Sequence, residues 1–557
     1  MQTTGDALVT ALIEARFDQW ITTWPGHATR FGLHQHDGKL PDLSRAAKQA
    51  DIAADHAFMR QLEAVDPQTL SSAVAFERDV ALHSARLRLF EAETVRNWQR
   101  TLDAAEEIGG AIFLLAARDF APLSERLLPM TSRIEGIPAA LKQVRDRLGA
   151  DAVRLWLELE SGTAAELPGM LHEIRATATS VWAVGSPELA RLDAAVREAE
   201  AALLEYAAWI RVQAEGAGDR LALGREGLDE LVALRAFDDL TTDDILAIGW
   251  EQLEVQHEAR REAGRQVDPS LSEDEVVARV KADGPADFEA ALEGYKEAMF
   301  RARAHITNHD LATLPTDDVL EVIATPRHMR NLLPLAAYFD PAAFDRPPRG
   351  TYVVTPSVDD GPGAMNEHNW ASMVNTSVHE AYPGHHLQLT AALATPTPAR
   401  LMVEAPEFVE GWGMYCEQMM IEEGFEDSPE RRVIVATDAI WRATRIILDI
   451  RLHRGEISVE EGVEFLVDHT GFEQPVAESE VRRYTTVPGY NLSYLLGKVL
   501  LLRLRADEQA RLGADYSLKG FHDALLYSGS LPISFHRRLL AGEGGGPTPA
   551  PDRANVA

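Results

Sequence analysis

The residues best suited to chemistry lie between Val378 and Gln388, where one glutamate and three histidines occur within eight positions. A histidine-glutamate pair followed by another histidine about one turn later lets a helix offer two imidazoles to zinc and a carboxylate to its bound water. The usual motif would place that later histidine at position 383, but the residue there is Pro383. The pattern indicates metal-assisted hydrolysis with a displaced second ligand.

The interruption predicts a distorted helix. Pro383 lacks a backbone N–H, and in a helix its ring collides with the carbonyl of His379. Gly384 can adopt backbone angles that are closed to other residues. A bulge that absorbs two residues would bring His385 to the place of the missing histidine, so we predict His379 and His385 as ligands. His386 is the alternative, because a seven-residue step returns to the same helical face.

Glu410 is the predicted third ligand. It follows His385 by twenty-five residues, which is enough for a turn and an antiparallel helix. Zinc sites of this type take a third protein ligand, often a glutamate, and keep one position for water. Gly411 and Gly413 allow close approach of the neighbouring backbone. The alternatives are that Glu410 is one acid among many and that the histidines are ordinary buried residues of a polar loop.

The composition narrows the classes of function. The chain has 557 residues, of which 46% are hydrophobic, so it can bury a large core. Its formal net charge of −33 argues against binding to nucleic acid or anionic lipid, both of which require a basic surface. Solubility through a negative surface is the simpler explanation of this charge.

The cysteine content and the absence of long apolar runs bear on location. Cys416 is the single cysteine, so an intrachain disulfide is excluded, and a small core residue is its expected role. The first residues lack the continuous apolar run of a secretory signal. Nowhere does the chain approach the roughly 18 consecutive apolar residues of a membrane helix. We therefore predict a cytoplasmic protein that does not bind membranes.

Hydrophobic periodicity predicts a mainly α protein. Residues 1–310 form an N-terminal helical part, residues 311–541 form the metal-site part of the same domain, and residues 542–557 form a disordered tail. Two short β-branched runs, Val319–Thr325 and Gly350–Pro356, predict strands of a small sheet beside the site. The edge of that sheet is either a surface for pairing with an extended peptide or an ordinary buried ribbon.

The run from His379 to Gln388, followed by Glu410-Gly411-Trp412, resembles the bacterial domain-of-unknown-function 885 family. Further matches are Ala28–His34, Leu40–Ser44, Arg483-Tyr484, Pro488-Gly489 and Ser493–Gly497, so the resemblance covers roughly residues 15–540. This family in turn resembles helical zinc peptidases such as thimet oligopeptidase, carboxypeptidase Taq and angiotensin-converting enzyme. The resemblance implies a large two-lobed helical fold with a deep cleft and a small β-sheet beside the active site.

The resemblance also implies roles for individual residues. Those peptidases have the shorter His-Glu-x-x-His motif, so His379, Glu380 and Glu410 carry over directly, whereas His385 does so only if Gly384-His385 corresponds to their Gly-His. Glu380 is then the general base. For the tyrosines and arginines of residues 482–494, the alternative interpretation is that each tyrosine only packs and each arginine only lies at the surface. The predicted oxyanion donors are Tyr484 and Tyr494, with Tyr490 behind them; the predicted substrate-binding residues are Arg483 (or Arg482), Tyr490 and His386.

The sequence thus predicts a zinc-dependent hydrolase of short peptides. One alternative is a catalytically silent protein that binds a metal or a peptide, although the intact Glu380 speaks against it. Another is a metal-dependent hydrolase of a different small amide. Removal of residues from either end of a peptide and internal cleavage are equally compatible with the sequence, as is any oligomeric state.

Overall fold

A computed structural model describes residues 4–316, 318–326, 330, 333, 335–357, 363–394 and 396–544. These residues form a mainly α-helical structure with one small sheet, which confirms the predicted fold class. No helix in these ranges is both long enough and apolar enough to cross a membrane. Of the predicted disordered tail, residues 545–557 lie outside the described residues.

The first part of the chain consists of helices that begin at polar caps. The side chains of Ser44, Ser71 and Ser186 each accept a hydrogen bond from a backbone N–H in the first turn of the following helix. A π-helical turn, Glu91–Val95, follows the fourth helix directly. The helices are α1 (Thr4–Thr23), α2 (Pro25–Phe31), α3 (Arg45–Glu63), α4 (Ser72–Phe90), α5 (Asn97–Arg100), α6 (Ala104–Ala117), α7 (Leu123–Val144), α8 (Arg154–Ala178), α9 (Pro187–Glu215), α10 (Arg225–Arg235), α11 (Thr242–Val267), α12 (Glu273–Ala282) and α13 (Phe288–Asn308).

The sheet contains the two predicted strands and a third that was not predicted. Strands β1 (Val319–Ala324), β2 (Ala336–Phe339) and β3 (Arg349–Val354) lie in the order β1-β3-β2. Strand β1 runs parallel to β3, and β2 runs antiparallel to it. The four residues of β2 include no β-branched side chain, so the composition that predicted the other two strands is missing there.

The metal-site part continues with a second set of helices. Helix α17 carries Glu410 and packs closely along α21, because a Cβ on Gly411 would lie only 2.6 Å from the Cα of Gly497. The helices are α14 (Trp370–Glu380), α15 (His385–Ala392), α16 (Pro398–Met402), α17 (Pro406–Glu422), α18 (Pro429–Arg454), α19 (Val459–Thr470), α20 (Gln474–Tyr484), α21 (Ser493–Leu512), α22 (Leu518–Leu526) and α23 (Ile533–Leu540).

Two large cores organise the helices. One contains apolar residues of α6 to α9, such as Ile112, Leu171 and Leu203. The other extends from Phe90 to Ile533 and includes residues of α11, α14, α17, α18 and α21. The helices that carry the predicted ligands therefore lie within an extensive packed core, which restricts the movement of their side chains.

Candidate metal centre

The chain between the two predicted histidine ligands breaks into two helices. The sequence predicted one bulged helix, but α14 ends at Glu380 and α15 begins at His385. The N–H of Gly384 donates to the carbonyl oxygen of Val378, at 3.0 Å. A Cβ on Gly384 would collide with the carbonyl oxygens of Val378 and His379, so only glycine fits this tight return of the chain.

This break brings the two predicted histidines and Glu410 together. The Nε2 atoms of His379 and His385 lie 3.7 Å and 3.5 Å from Oε2 of Glu410. Their ring centroids are 4.7 Å apart, and the rings are almost perpendicular, at 87°. Two ligands of a tetrahedral zinc ion lie about 3.3 Å apart, so these separations fit a common metal ion.

Glu380 completes the cluster. One of its carboxylate oxygens lies within 4.8 Å of a ring nitrogen of both His379 and His385. Among the described residues, its side chain makes no hydrogen bond or ion pair. A carboxylate in this position is available to accept a proton from a group bound between the two imidazoles.

Glu417 is a member of the site that sequence reasoning missed. Its Oε1 accepts a hydrogen bond from Nδ1 of His379 at 2.7 Å, and its Oε2 accepts one from Nδ2 of Asn375 at 3.1 Å. A carboxylate in this position fixes the tautomer of a histidine ligand and makes its other nitrogen more basic. The available signal was the spacing, since Glu417 follows Glu410 by seven residues and shares its helical face.

A glycine in α17 makes room for the first histidine. A Cβ on Gly413 would lie 2.6 Å from Cε1 and 2.8 Å from Nε2 of His379. The imidazole therefore packs directly on the backbone of α17, between Glu410 and Glu417. The glycines that the sequence assigned to close backbone approach thus contact two different partners, a helix at Gly411 and the His379 ring at Gly413.

Opposite charges offset the effect of burial in this cluster. Burial lowers the pKa of His379, but the nearby Glu410 carboxylate and the hydrogen bond to Glu417 outweigh this effect and raise the pKa well above its ordinary value. Burial raises the pKa of Glu410, yet His379 and His385 hold that pKa far below its usual range. Burial also raises the pKa of Glu417, but the hydrogen bond from His379 outweighs this effect, so the pKa is lowered. The carboxylates therefore stay ionised, as metal coordination requires.

His386, the alternative ligand, lies in a different environment. Its Nδ1 is 2.9 Å from the hydroxyl of Tyr338, and its Nε2 is 3.5 Å from Oδ2 of Asp318. The hydroxyl of Tyr382 donates to the same Asp318 carboxylate. Adjacent residues of a helix point about 100° apart, so His386 faces the small sheet while His385 faces α17. The structure does not bring His386 into the cluster.

The hydroxyl of Tyr484, one predicted catalytic tyrosine, is fully engaged elsewhere. It donates to Oε2 of Glu480 at 2.7 Å. It also accepts hydrogen bonds from Nε1 of Trp441 and Nε of Arg445, both at 3.0 Å. The side chain is completely buried. These contacts assign Tyr484 to a packed network that holds the Arg445 guanidinium.

Tyr490 and Tyr494 lie beside each other at the start of α21. Their hydroxyl oxygens are 3.4 Å apart. Burial raises the pKa of Tyr490, and Tyr494 and Glu410 raise it further. The Tyr490 hydroxyl therefore stays protonated at neutral pH and can donate a hydrogen bond.

The two predicted arginines lie at the surface of α20. Arg483 is exposed and pairs with Glu480 at 2.9 Å. Arg482 lies 3.7 Å from Glu158. These pairs are partly exposed, so they contribute little stability and leave the guanidinium groups able to exchange partners.

The fold and the site together define a mainly helical protein with a partly buried cluster of histidine and glutamate side chains. Residues 25–540 match a family described as a bacterial protein of unknown function (DUF885). The chain belongs to this family. A search of curated proteins found no match.

Two solved structures resemble the chain over almost its whole length. One is described as a "putative lipoprotein" of unknown function from Shewanella oneidensis, with a TM-score of 0.75 and 20% identity; the match covers 95% of this chain and 99% of that one. The other is a "putative lipoprotein" from Colwellia psychrerythraea, with a TM-score of 0.81 and 18% identity over 97% and 99% of the two chains. At these identities the likeness concerns the fold alone.

Proposed function

We propose that this protein is a zinc-dependent hydrolase that cleaves peptide bonds of short peptides. The proposal rests on the convergence of His379, His385 and Glu410, with Glu380 beside them. These three side chains would hold the zinc ion, which supplies a Lewis acid that polarises the scissile carbonyl and lowers the pKa of water. Two imidazoles with one glutamate are a ligand set of catalytic zinc, and the Glu417 hydrogen bond to His379 supports it.

Glu380 is the proposed general base and later the general acid. It takes a proton from the attacking water and passes it to the leaving amine, as its position next to both imidazoles allows. The lack of a competing hydrogen bond to Glu380 among the described residues supports this role. A catalytically silent binding protein would have no use for a free carboxylate at this point.

We assign stabilisation of the oxyanion to Tyr490 and Tyr494 rather than to Tyr484. A preorganised hydroxyl that donates to the developing oxyanion stabilises it by several kcal/mol, on the order of 3, in a site shielded from water. The electrostatic coupling of Tyr490 to Glu410 supports this choice. Tyr484 then acts indirectly, because it orients Arg445, whose guanidinium lies over the Tyr494 ring at 4.9 Å.

A cleft between two lobes is part of the proposal. A cavity of about 490 Å³ lies between helices of the N-terminal part and the residues Glu404, Pro406 and Tyr490 of the metal-site part. Its volume suits part of a short peptide. The acidic composition further supports a protein that binds neither nucleic acid nor anionic membrane surfaces.

The decisive experiment combines metal analysis with a panel of short peptides. Elemental analysis of the purified protein should find about one zinc ion per chain, and hydrolysis should stop with a chelator and return with added zinc. Zinc without cleavage of any peptide would favour the silent binding protein. Zinc-dependent cleavage of other small amides but not of peptides would favour the broader amide hydrolase. A protein that contains no metal and cleaves peptides despite the chelator would contradict the proposal.

A further inference from the structure

The 490 Å³ cavity is connected to the candidate metal centre through α17, although its lining includes none of the four cluster residues. Glu404 and Pro406, at the start of α17, line it, and Glu410 follows one turn later on that helix. Tyr490 also lines the cavity, and its hydroxyl lies 3.4 Å from the hydroxyl of Tyr494. Part of a substrate bound at the cluster could therefore extend into this space.

The charged groups that line the cavity are mostly acidic. Six carboxylates and three cationic side chains contribute to the lining. Two of the carboxylates and two of the cations are already used: Asp51 and Asp55 pair with Arg16, Asp55 also pairs with Arg88, and Arg235 pairs with Glu407. Within the described ranges, the lining side chains that form no ion pair are Lys48, Glu91, Asp103, Glu107 and Glu404.

Two of these carboxylates, Glu91 and Glu404, line the same cavity from distant parts of the chain. Glu91 lies in the π-helical turn after α4, and Glu404 lies just before α17. Both have accessible surface, and both line the cavity. Burial within the surrounding protein and repulsion by Glu404 raise the pKa of Glu91 to about 7, although the cations Lys48, Arg235 and Arg88 act in the opposite direction. A cation between them would relieve that repulsion.

Aromatic rings line the same cavity. The indoles of Trp20, Trp24 and Trp98 are among the lining side chains. The ammonium of Lys48 lies 5.1 Å from the Trp24 ring centroid, so an ammonium fits against a face of this ring. Tryptophan faces combined with carboxylates are the environment that attracts ammonium groups.

We propose that this cavity binds a positively charged ammonium group of the substrate, held between Glu91 and Glu404 and against the tryptophan rings. This inference rests on the proposed peptide hydrolase activity and adds a preference for substrates that carry an ammonium group. The ammonium belongs either to the amino terminus of the peptide or to a lysine side chain near it. The bond to be cleaved would then lie at the cluster, with the residues on its amino-terminal side directed towards the cavity.

The test compares capped and uncapped peptides with the zinc-loaded full chain. One peptide carries a free amino terminus, a second is acetylated, and two further acetylated peptides carry lysine or norleucine at the first position. We expect a kcat/KM at least about tenfold higher for a peptide with an ammonium than for its neutral counterpart. The free and acetylated pair reports on the terminal amine, and the lysine and norleucine pair reports on the side chain.

Variants then locate the effect in the cavity. In the Glu91→Gln, Glu404→Gln double variant the preference should fall to less than about threefold. Glu93→Gln is the matched control, because Glu93 lies in the same π-helical turn but does not line the cavity. It should retain the full preference. Circular dichroism establishes that each variant is folded, and the single variants Glu91→Gln and Glu404→Gln, in which the preference should be reduced, provide the same test if the double variant does not fold.

The outcomes separate this inference from the proposed function. Equal cleavage of charged and neutral peptides, or a preference that survives in the folded double variant, overturns the cavity assignment and leaves the hydrolase intact. Failure to cleave any peptide overturns the proposed function and the assignment with it. If the preference is lost in the double variant but kept in the wild type and in Glu93→Gln, the result supports both the proposed function and the cavity assignment.

Discussion

Glu160 in α8 and Glu410 in α17 are both largely buried carboxylates, yet their surroundings favour opposite protonation states. Glu160 accepts hydrogen bonds from the backbone N–H of Ala105 at 2.9 Å and from the hydroxyl of Tyr206 at 3.0 Å. Burial dominates there and raises the pKa of Glu160 to about 8. Glu410 instead faces two imidazoles, and its pKa is held well below the usual range.

The difference separates a structural carboxyl group from a candidate ligand. In the N-terminal core the donors to Glu160 are neutral and do not offset burial and the repulsion by Asp103, so the protonated form is favoured near neutral pH. At the metal centre the partners of Glu410 and Glu417 can carry positive charge, so the ionised form is favoured. Burial of an acid is therefore insufficient evidence for a metal site. The charge of the neighbouring groups decides whether the buried carboxylate is ionised and so able to bind a metal.

The largest expected effect comes from Gly384→Ala. The added methyl group would collide with the carbonyl oxygens of Val378 and His379, so the break between α14 and α15 must change. We expect the free energy of unfolding to fall by about 3 kcal/mol and bound zinc to be lost. Thermal unfolding and elemental analysis measure the two effects.

The matched control for this change is on the exposed face of α8. Gly162→Ala adds the same methyl group within α8, where it would contact nothing within 4 Å. This variant should be as stable as the wild type or more stable by up to about 1 kcal/mol, because alanine favours a helix. Equal behaviour of the two variants would show that the break tolerates a side chain.

Glu380→Gln should separate catalysis from metal binding. The amide cannot accept the proton from water, so hydrolysis should fall at least about a hundredfold while the zinc content is unchanged. Steady-state kinetics and elemental analysis of the same sample provide the test. Glu166→Gln, an exposed change in α8, should alter neither quantity. Full activity in the Glu380 variant would remove Glu380 from the mechanism.

Glu417→Gln should weaken metal binding without abolishing it. The amide can still contact Nδ1 of His379, but it cannot stabilise the imidazole with a full negative charge. Loss of such an outer carboxylate typically lowers metal affinity about ten- to a hundredfold. Competition with a chromophoric chelator measures the affinity. An unchanged affinity would assign Glu417 to packing alone.

The smallest expected effect concerns the pH dependence of stability at Glu160. Its pKa of about 8 in the folded protein exceeds the ordinary value of 4.5, so the folded state retains a proton that the unfolded state releases. Between these values the free energy of unfolding must fall as the pH rises, at about 1 kcal/mol per pH unit. Glu160→Gln should remove this slope between pH 6 and 7, as chemical denaturation would show. A variant with the wild-type slope would mean that other groups are responsible.

Much of the fold was predictable, because long helices and β-branched strands leave local patterns. Strands β1 and β3 were predicted within two residues at each end, whereas β2 has four residues and no such pattern. The break at Gly384 was predictable as a distortion from Pro383 alone. Its form as two separate helices was not, because it depends on the hydrogen bond from Gly384 to Val378.

The candidate site likewise has features that the sequence predicted and features that only the structure revealed. The sequence alone specified the residue types His379, Glu380, His385 and Glu410, because their chemistry and spacing are local properties. Only the tertiary structure decided that His385 rather than His386 faces Glu410, and that Glu417 supports His379. Those facts depend on how α14, α15 and α17 pack, and the direction of a side chain across a helix interface is a property of the packed core.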